Sequence, residues 1–341
     1  MKLSKICITP QPRGVGGMVS FYAKLVKELA LHGIETTSIL DDPHINGILV
    51  IGGTRNIAGL RLASKRGIRI IQRLNGMNWV HRKRWTGIRH FLRAEIGNLI
   101  LAFIRKNIAD AIVYQSRFSQ EWWQRVHGNI SKESAIVYNG VDLQSYSPIE
   151  SIAPPEDRFR ILLVEGTLSG GYESGLSNAV RFVEGVKEYT QTPVEMMVVG
   201  RVSKEIRTIW EKKSSIPIVW SGLVPQEKIA EIDNSAHILY AADINSACPN
   251  SVIESLACGL PVAAFDTGAL SELVVKGTGK IVAYGGNPWQ LDEPDIHSLV
   301  HASVDILYEQ SLFRKTAREH AEDAFGIDMM TQSYLDILGE T

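Results

Sequence analysis

Glu254 is the only acid in the otherwise apolar stretch Asn250-Ser251-Val-Ile-Glu254-Ser-Leu-Ala-Cys258-Gly259-Leu-Pro261. A buried carboxylate is costly unless paired, so it needs a protein donor or a ligand hydroxyl. The apolar run His237 to Ala242 before it reads as a buried strand. Asn250 or Ser251 is placed to cap a short helix that Gly259 and Pro261 terminate. Pro261 to Phe265 is then the next strand, and Thr267-Gly268 opens another helix. Two helix N-termini at the carboxyl ends of neighbouring strands make an edge where anions bind. A capped helix with an internally paired acid fits the same residues.

A second candidate lies near the start. Ile6-Cys-Ile-Thr9 is a short buried strand, followed by Pro10-Gln-Pro-Arg13-Gly14-Val-Gly16-Gly17 and an amphipathic helix to about His32. Strand, glycine turn and helix form the general phosphate-binding arrangement. A dinucleotide fingerprint is incomplete, because Val19 stands where its third glycine belongs. That discounts a dinucleotide-dependent oxidoreductase, although Asp41 and Asp42 end the next strand where a ribose-binding acid would sit. A tight strand-to-helix turn explains the glycines equally well. Arg73-Leu-Asn75-Gly76-Met-Asn78 is a polar turn at another strand end, where asparagine also serves for its turn conformation alone.

These candidates must be positioned by a larger frame. Strands at Thr36–Leu40, Gly47–Ile51, Ile68–Ile71 and Ala111–Tyr114 alternate with helical segments, which predicts parallel sheets joined by helices. Pro148 to Asp157 reads as an interdomain linker. Beyond it come a strand at Phe159–Val164, the loop Glu165 to Glu173 with Gly170 and Gly171, and a strand ending at Met197-Val-Val-Gly200-Arg201. Helices at about Asp295–Glu309, Leu312–Ala324 and Asp328–Leu338 close the chain. The expected domains are 1–150, 158–325 and a terminal helix, 326–341, returning to the first.

With 341 residues, 45% apolar, two α/β domains are the natural expectation. A formal charge of −1 argues against a general nucleic-acid binder. Cys7, Cys248 and Cys258 are too few and scattered for a disulfide framework or a metal site, which favours a reducing compartment. Met1-Lys-Leu-Ser-Lys-Ile lacks the apolar core of a signal peptide, and Leu99 to Ile104 is too short to span a bilayer. A cytoplasmic protein is expected. His81-Arg-Lys-Arg84-Trp85 and Arg89-His-Phe-Leu-Arg93 form its most basic patch. Interleaved Trp85, Phe91 and Leu92 suit a helix lying on anionic lipid, and a solvated charged face is the other reading.

The stretch around Glu254 resembles the donor-site signature of the retaining family 4 glycosyltransferases, whose pattern is Glu-x7-Glu, Ala-Cys-Gly-x-Pro-Val, a glycine turn and Glu. Glu254, Ala257-Cys258-Gly259, Pro261-Val262, Gly268 and Glu272 match, whereas Ser246 replaces the first glutamate. Ala109 to Ser116 and Tyr138-Asn139-Gly140-Val141-Asp142 resemble two further family signatures. The resemblance implies a GT-B fold, two Rossmann-like parallel-sheet domains facing across a cleft. It implies transfer, with retention, from a nucleoside diphosphate sugar to a glycan or lipid-linked acceptor in cell-surface polysaccharide or glycolipid synthesis. Glu254 would hold the ribose hydroxyls. Backbone N–H groups near Cys248-Pro249-Asn250-Ser251 and Thr267-Gly268 would bind sugar and phosphate, with Ser246 beside them. Gly16 and Gly17 match the family's double glycine near donor and acceptor. Asn75 stands where the family carries a histidine or acid, so hydrogen bonding carries over and acid–base chemistry does not. The family's diphosphate-neutralising arginine and lysine are missing from the loop after Val164, which leaves the N–H groups of Gly170 and Gly171. Arg201 or Lys204 is the nearest replacement cation. Without an Asp-x-Asp motif, no metal and no cofactor are expected. The same departures leave open an inert subunit that binds nucleotide sugar or glycan without turning it over.

Overall fold

The computed structural model describes residues 3–14, 16–168 and 173–339, and they form two units. The first comprises residues 1–140 and 326–341, the second residues 141–325. Gly170 and Gly171 lie outside the described residues.

In the first unit the strands are β1 (Lys5–Thr9), β2 (Glu35–Thr37), β3 (Gly47–Ile51), β4 (Arg69–Leu74), β5 (Ala111–Tyr114) and β6 (Glu133–Ile136). All pair in parallel, in the order β2-β1-β3-β4-β5-β6. Helices α1 (Gly17–Leu31), α2 (Ile57–Lys65), α3 (Ile88–Asn107) and α4 (Arg117–His127) connect them. Gly47 to Ile51 is buried throughout, as expected for a strand covered on both faces. The order reverses at β1, so the crevice above β1 and β3 is the switch point of this sheet.

The second unit repeats the plan with β7 (Phe159–Thr167), β8 (Val194–Arg201), β9 (Ile218–Gly222), β10 (Ile238–Tyr240), β11 (Val262–Phe265) and β12 (Gly279–Val282). Its order is β12-β11-β10-β7-β8-β9, again parallel, with the switch point between β7 and β10. The helices are α5 (Glu173–Thr190), α6 (Lys204–Lys213), α7 (Ile229–Asn234), α8 (Asn250–Ala257), α9 (Leu270–Leu273), α10 (Ile296–Tyr308) and α11 (Gln310–Ala324). Helix α12 (Ile327–Gly339) belongs to the first unit. There the Tyr334 ring meets Phe21 of α1 at 5.6 Å, and Arg69 Nε donates to the Ile337 carbonyl at 2.7 Å.

Several expected boundaries move. The strand expected at Thr36–Leu40 ends at Thr37, and the run from His237 to Ala242 gives only three strand residues, Ile238–Tyr240. Both segments leave the sheet early because only part of each run has a neighbouring strand to pair with. Pro148 to Asp157 falls inside the second unit, where the Ile149 N–H donates to Asn234 Oδ1 at 2.9 Å.

Candidate active site

The carboxyl edge of the second sheet gathers most of the residues singled out around Glu254. After β10 the chain runs through Asp243, Asn245 and Ser246 into α8, and after β11 it runs through Thr267 and Gly268 into α9. Gly268 locks the two connections together. Its φ is +62°, and a Cβ there would lie 2.4 Å from the Ser246 carbonyl oxygen. Only glycine tolerates both the left-handed backbone and that approach. The Ala269 N–H then donates to the same carbonyl at 2.8 Å. Ser246, Thr267 and Gly268 are therefore one cluster.

Helix α8 corrects the expected cap. Its N-cap is Pro249, with φ −71°, and no side chain caps it. Proline presets the backbone for helix entry but offers no acceptor, so neither Asn250 nor Ser251 serves as cap. The N–H groups of the first turn have no partner within the helix and present positive charge at the sheet edge. The second expected helix start is also corrected. Thr267-Gly268 opens only the single turn α9, Leu270–Leu273, with Ala269 as N-cap. Four residues sum too few peptide dipoles to match α8.

Glu254 is 8% exposed on α8, and its whole helix face is buried. Burial first, then the charge of Glu254, holds the buried Asp233 carboxyl well above the usual carboxylate range. Ser255 Oγ donates to Asp233 Oδ1 at 3.1 Å. The same two influences raise the Tyr146 hydroxyl. Arg318 steadies the far end of α8, donating to the carbonyls of Ala257 at 2.7 Å and Tyr146 at 2.8 Å. A cation at a helix C-terminus complements the dipole.

Two acids interact at the switch point, Glu165 from the loop named in the sequence and Asp243, which sequence reasoning missed. Glu165, near the end of β7, is held well above the usual range by burial and by the charge of Asp243. Asp243, after β10, is raised by burial, against a hydrogen bond with Ser246. Raised carboxyls bind protons, which removes charge that would repel an anion here. Asn245 follows, buried, with φ +56° and Nδ2 unpartnered. The signal for Asp243 and Asn245 was their place directly after a strand at a sheet reversal, a point only the strand order reveals.

Arg201 ends β8, pairing in register with Thr167 of β7, and is exposed without a side-chain partner among the described residues. Lys204 is exposed at the first turn of α6, whose cap is Ser203.

The remaining residues belong to the first unit. A cavity of about 370 Å³ opens at the carboxyl ends of β1, β3 and β4, beneath α3. Asn75 lines it, and the Asn75 carbonyl accepts from Trp123 Nε1 at 2.7 Å. Gly16 is the N-cap of α1 with φ +135° and open space beside it, and Gly17 begins the helix. Neither glycine lines the cavity, whereas Met18 does. The basic patch does not stay whole: Arg82 forms a two-pronged pair with Glu95 at 2.6 and 2.7 Å, and buried His81 joins the same carboxylate at 2.7 Å. The Arg82 and His81 bonds hold Glu95 down to about 2.

Residues 160–297 match the family model described as glycosyl transferases group 1. Among curated proteins no sequence match is found. Solved structures share the fold over the whole chain. Sucrose-phosphate synthase of Thermosynechococcus elongatus aligns with a TM-score of 0.77 at 16% identity, covering 100% of both chains. Anabaena HepE, solved with UDP and glucose, gives 0.71 at 14% identity over 99% of this chain and 100% of that one. WaaG, a glycosyltransferase involved in lipopolysaccharide biosynthesis, gives 0.70 at 12% identity over 99% and 100%. The two six-stranded parallel sheets are thus the GT-B arrangement, and the second unit is similar to the glycosyl transferases group 1 family over residues 160–297.

Proposed function

We propose that the chain is a retaining hexosyltransferase that moves a sugar from a nucleoside diphosphate sugar, bound by the second unit, to a glycan or lipid-linked acceptor bound by the first. The observation that carries this reading is the uncapped N-terminus of α8 set beside the Ser246–Gly268 closure at a sheet switch point. Such an edge supplies backbone donors for a diphosphate and a sugar hydroxyl. HepE, whose solved complexes hold UDP with glucose and UDP-glucose, has the same fold and supports this donor class.

In this reading Glu254 accepts from the ribose hydroxyls. The N–H groups around Cys248, Pro249, Asn250 and Ser251, with Thr267 and Gly268, take the phosphate and sugar. Ser246 hydrogen-bonds the sugar in place of a glutamate. Arg201, with Lys204 behind it, neutralises the diphosphate, and Gly170 and Gly171 add backbone donors. Gly16, Gly17 and Asn75 serve the acceptor side and the transferred sugar. The acceptor hydroxyl attacks the anomeric carbon, the bond from that carbon to the phosphate oxygen breaks, and the departing phosphate takes the acceptor's proton. This route calls on no metal and no cofactor. The setting is cytoplasmic, at the inner face of a membrane, in cell-surface polysaccharide or glycolipid synthesis.

One observation favours a second reading, an inert nucleotide-sugar-binding subunit: Ser246 stands where the family carries a glutamate, and no Lys or Arg lies between Arg160 and Arg181. Incubation with a panel of UDP- and GDP-sugars separates the two. Nucleoside diphosphate release, and a product whose anomeric proton coupling matches the donor's, is the expected result. Thermal stabilisation by a nucleotide sugar with no release or transfer would sink the transferase reading.

A further inference from the structure

The cavity of the first unit has a consistent chemistry. Its walls include Met18, Ile51, Ile96, Ile100 and Leu101, its polar groups are Thr54, Asn75 and Asn78, and its two cations are Arg55 and Arg93. Among the described residues, no aspartate or glutamate lines it. A plain glycan presents hydroxyls on every side, and apolar walls would strip their water without replacing it. The two arginines are also uncommitted: neither has a side-chain partner among the described residues, unlike Arg82 on Glu95 or Arg69 on Glu133. Free guanidinium groups beside an apolar pocket match a phosphate joined to an apolar body.

Helix α3, which covers the cavity, continues this chemistry to the surface. Its buried residues include Ala94, Asn98 and Ile104, which hold it to the unit. Another face carries Ile88, Leu92, Ile96 and Leu99, four residues apart and then three, so they share one stripe. They are 65%, 54%, 48% and 65% exposed, and Trp85, just before the helix, is 84% exposed. Ile96 belongs both to the stripe and to the cavity wall, and Arg93 borders both. Arg89 is exposed on the same helix, and the nearby acid Glu95 is already neutralised by Arg82. An apolar stripe flanked by cations is complementary to anionic lipid. A second copy docked on this face would bring like cations together.

We infer that the acceptor is a phosphate-bearing amphiphile taken directly from an anionic bilayer, on which α3 lies, its phosphate held by Arg55 and Arg93. This rests on the transferase reading above, because it names that reaction's acceptor. Flotation with vesicles of phosphatidylcholine and phosphatidylglycerol in equal parts, against phosphatidylcholine alone, tests the surface. Farnesyl phosphate, farnesol and inorganic phosphate, compared by calorimetry, test the cavity.

The full chain should float with the anionic vesicles only, and added salt should release it. Leu92→Glu with Leu99→Glu should cut flotation more than tenfold. Arg89→Glu, which keeps the stripe apolar, should cut it severalfold. Farnesyl phosphate should bind at least tenfold tighter than either fragment, and Arg93→Ala should remove that advantage. Three results would each overturn the inference: flotation that ignores lipid charge, inorganic phosphate binding as well as farnesyl phosphate, or a dimer in sedimentation that the double substitution splits. Nucleoside diphosphate release from the sugar panel without lipid reads the transferase function separately. Release without lipid binding sinks only the acceptor, and lipid binding without release sinks only the transferase.

Discussion

Both units stack helices on a six-stranded parallel sheet and both open at a reversal of strand order, yet the two openings carry opposite chemistry. The first unit's opening is a cavity with apolar walls and, among the described residues, two free arginines and no acid. In the second unit, the opening is built from backbone: an uncapped helix start and a glycine closed on a carbonyl, beside two carboxyls that burial raises, Glu165 also through the charge of Asp243. The architecture decides where a ligand can sit, and the connections at the strand ends decide what it can be. Helix starts serve any phosphate, so the second unit divides its chemistry between backbone donors and a few side chains. The first unit's depends on them almost wholly.

If that contrast is right, substitutions in the two openings should separate cleanly. The largest effect is expected from Glu254→Gln. Losing a charge-assisted hydrogen bond of about 1.5–3 kcal/mol should lower kcat/KM for the donor roughly ten- to hundredfold with the fold intact. Full activity with the donor would remove Glu254 from the ribose.

Next in size is Arg201→Ala, expected to cost about tenfold in turnover and to weaken nucleoside diphosphate binding more than nucleoside binding. Lys204→Ala should do much less, because Lys204 starts a helix away from the strand end. Equal small effects from both would leave the diphosphate without a side-chain cation.

Arg93→Ala should raise the acceptor KM severalfold to tenfold and leave the donor KM unchanged, the reverse of Arg201→Ala. A donor effect from Arg93 would break the division of labour between the two openings.

The smallest effect concerns pH. The Glu165 carboxyl is raised by burial and by Asp243, so the folded state holds a proton that the unfolded state releases in the ordinary carboxylate range, near 4.3. The stability tied to that proton is present below that range and is lost as pH rises through the raised value. Melting temperature should therefore fall less steeply toward neutral and alkaline pH in Glu165→Gln than in the unaltered chain. Parallel curves would mean that Glu165 is ionised in the fold.

Much of this molecule was legible along the chain. Alternating apolar runs and amphipathic segments specify strands and helices locally, because period and turn chemistry act over a few residues. The stretch from Ser246 to Glu272 was readable as a strand-end site because its glycines, proline and single buried acid are local signals. What escaped was whatever depends on strand order. Asp243 and Glu165 are 78 positions apart, and they meet only because β10 pairs with β7. The cap of α8 also went astray, since a proline's fixed backbone overrode the better side-chain caps that follow it. Arg93 was legible as part of the basic patch, but its place beside Arg55 appeared only when β3 and α3 brought them to one cavity. Local composition determined the elements and the strand-end site around Glu254, whereas pairing between distant strands decided which charges face one another, because burial and Coulomb interactions depend on distance in space.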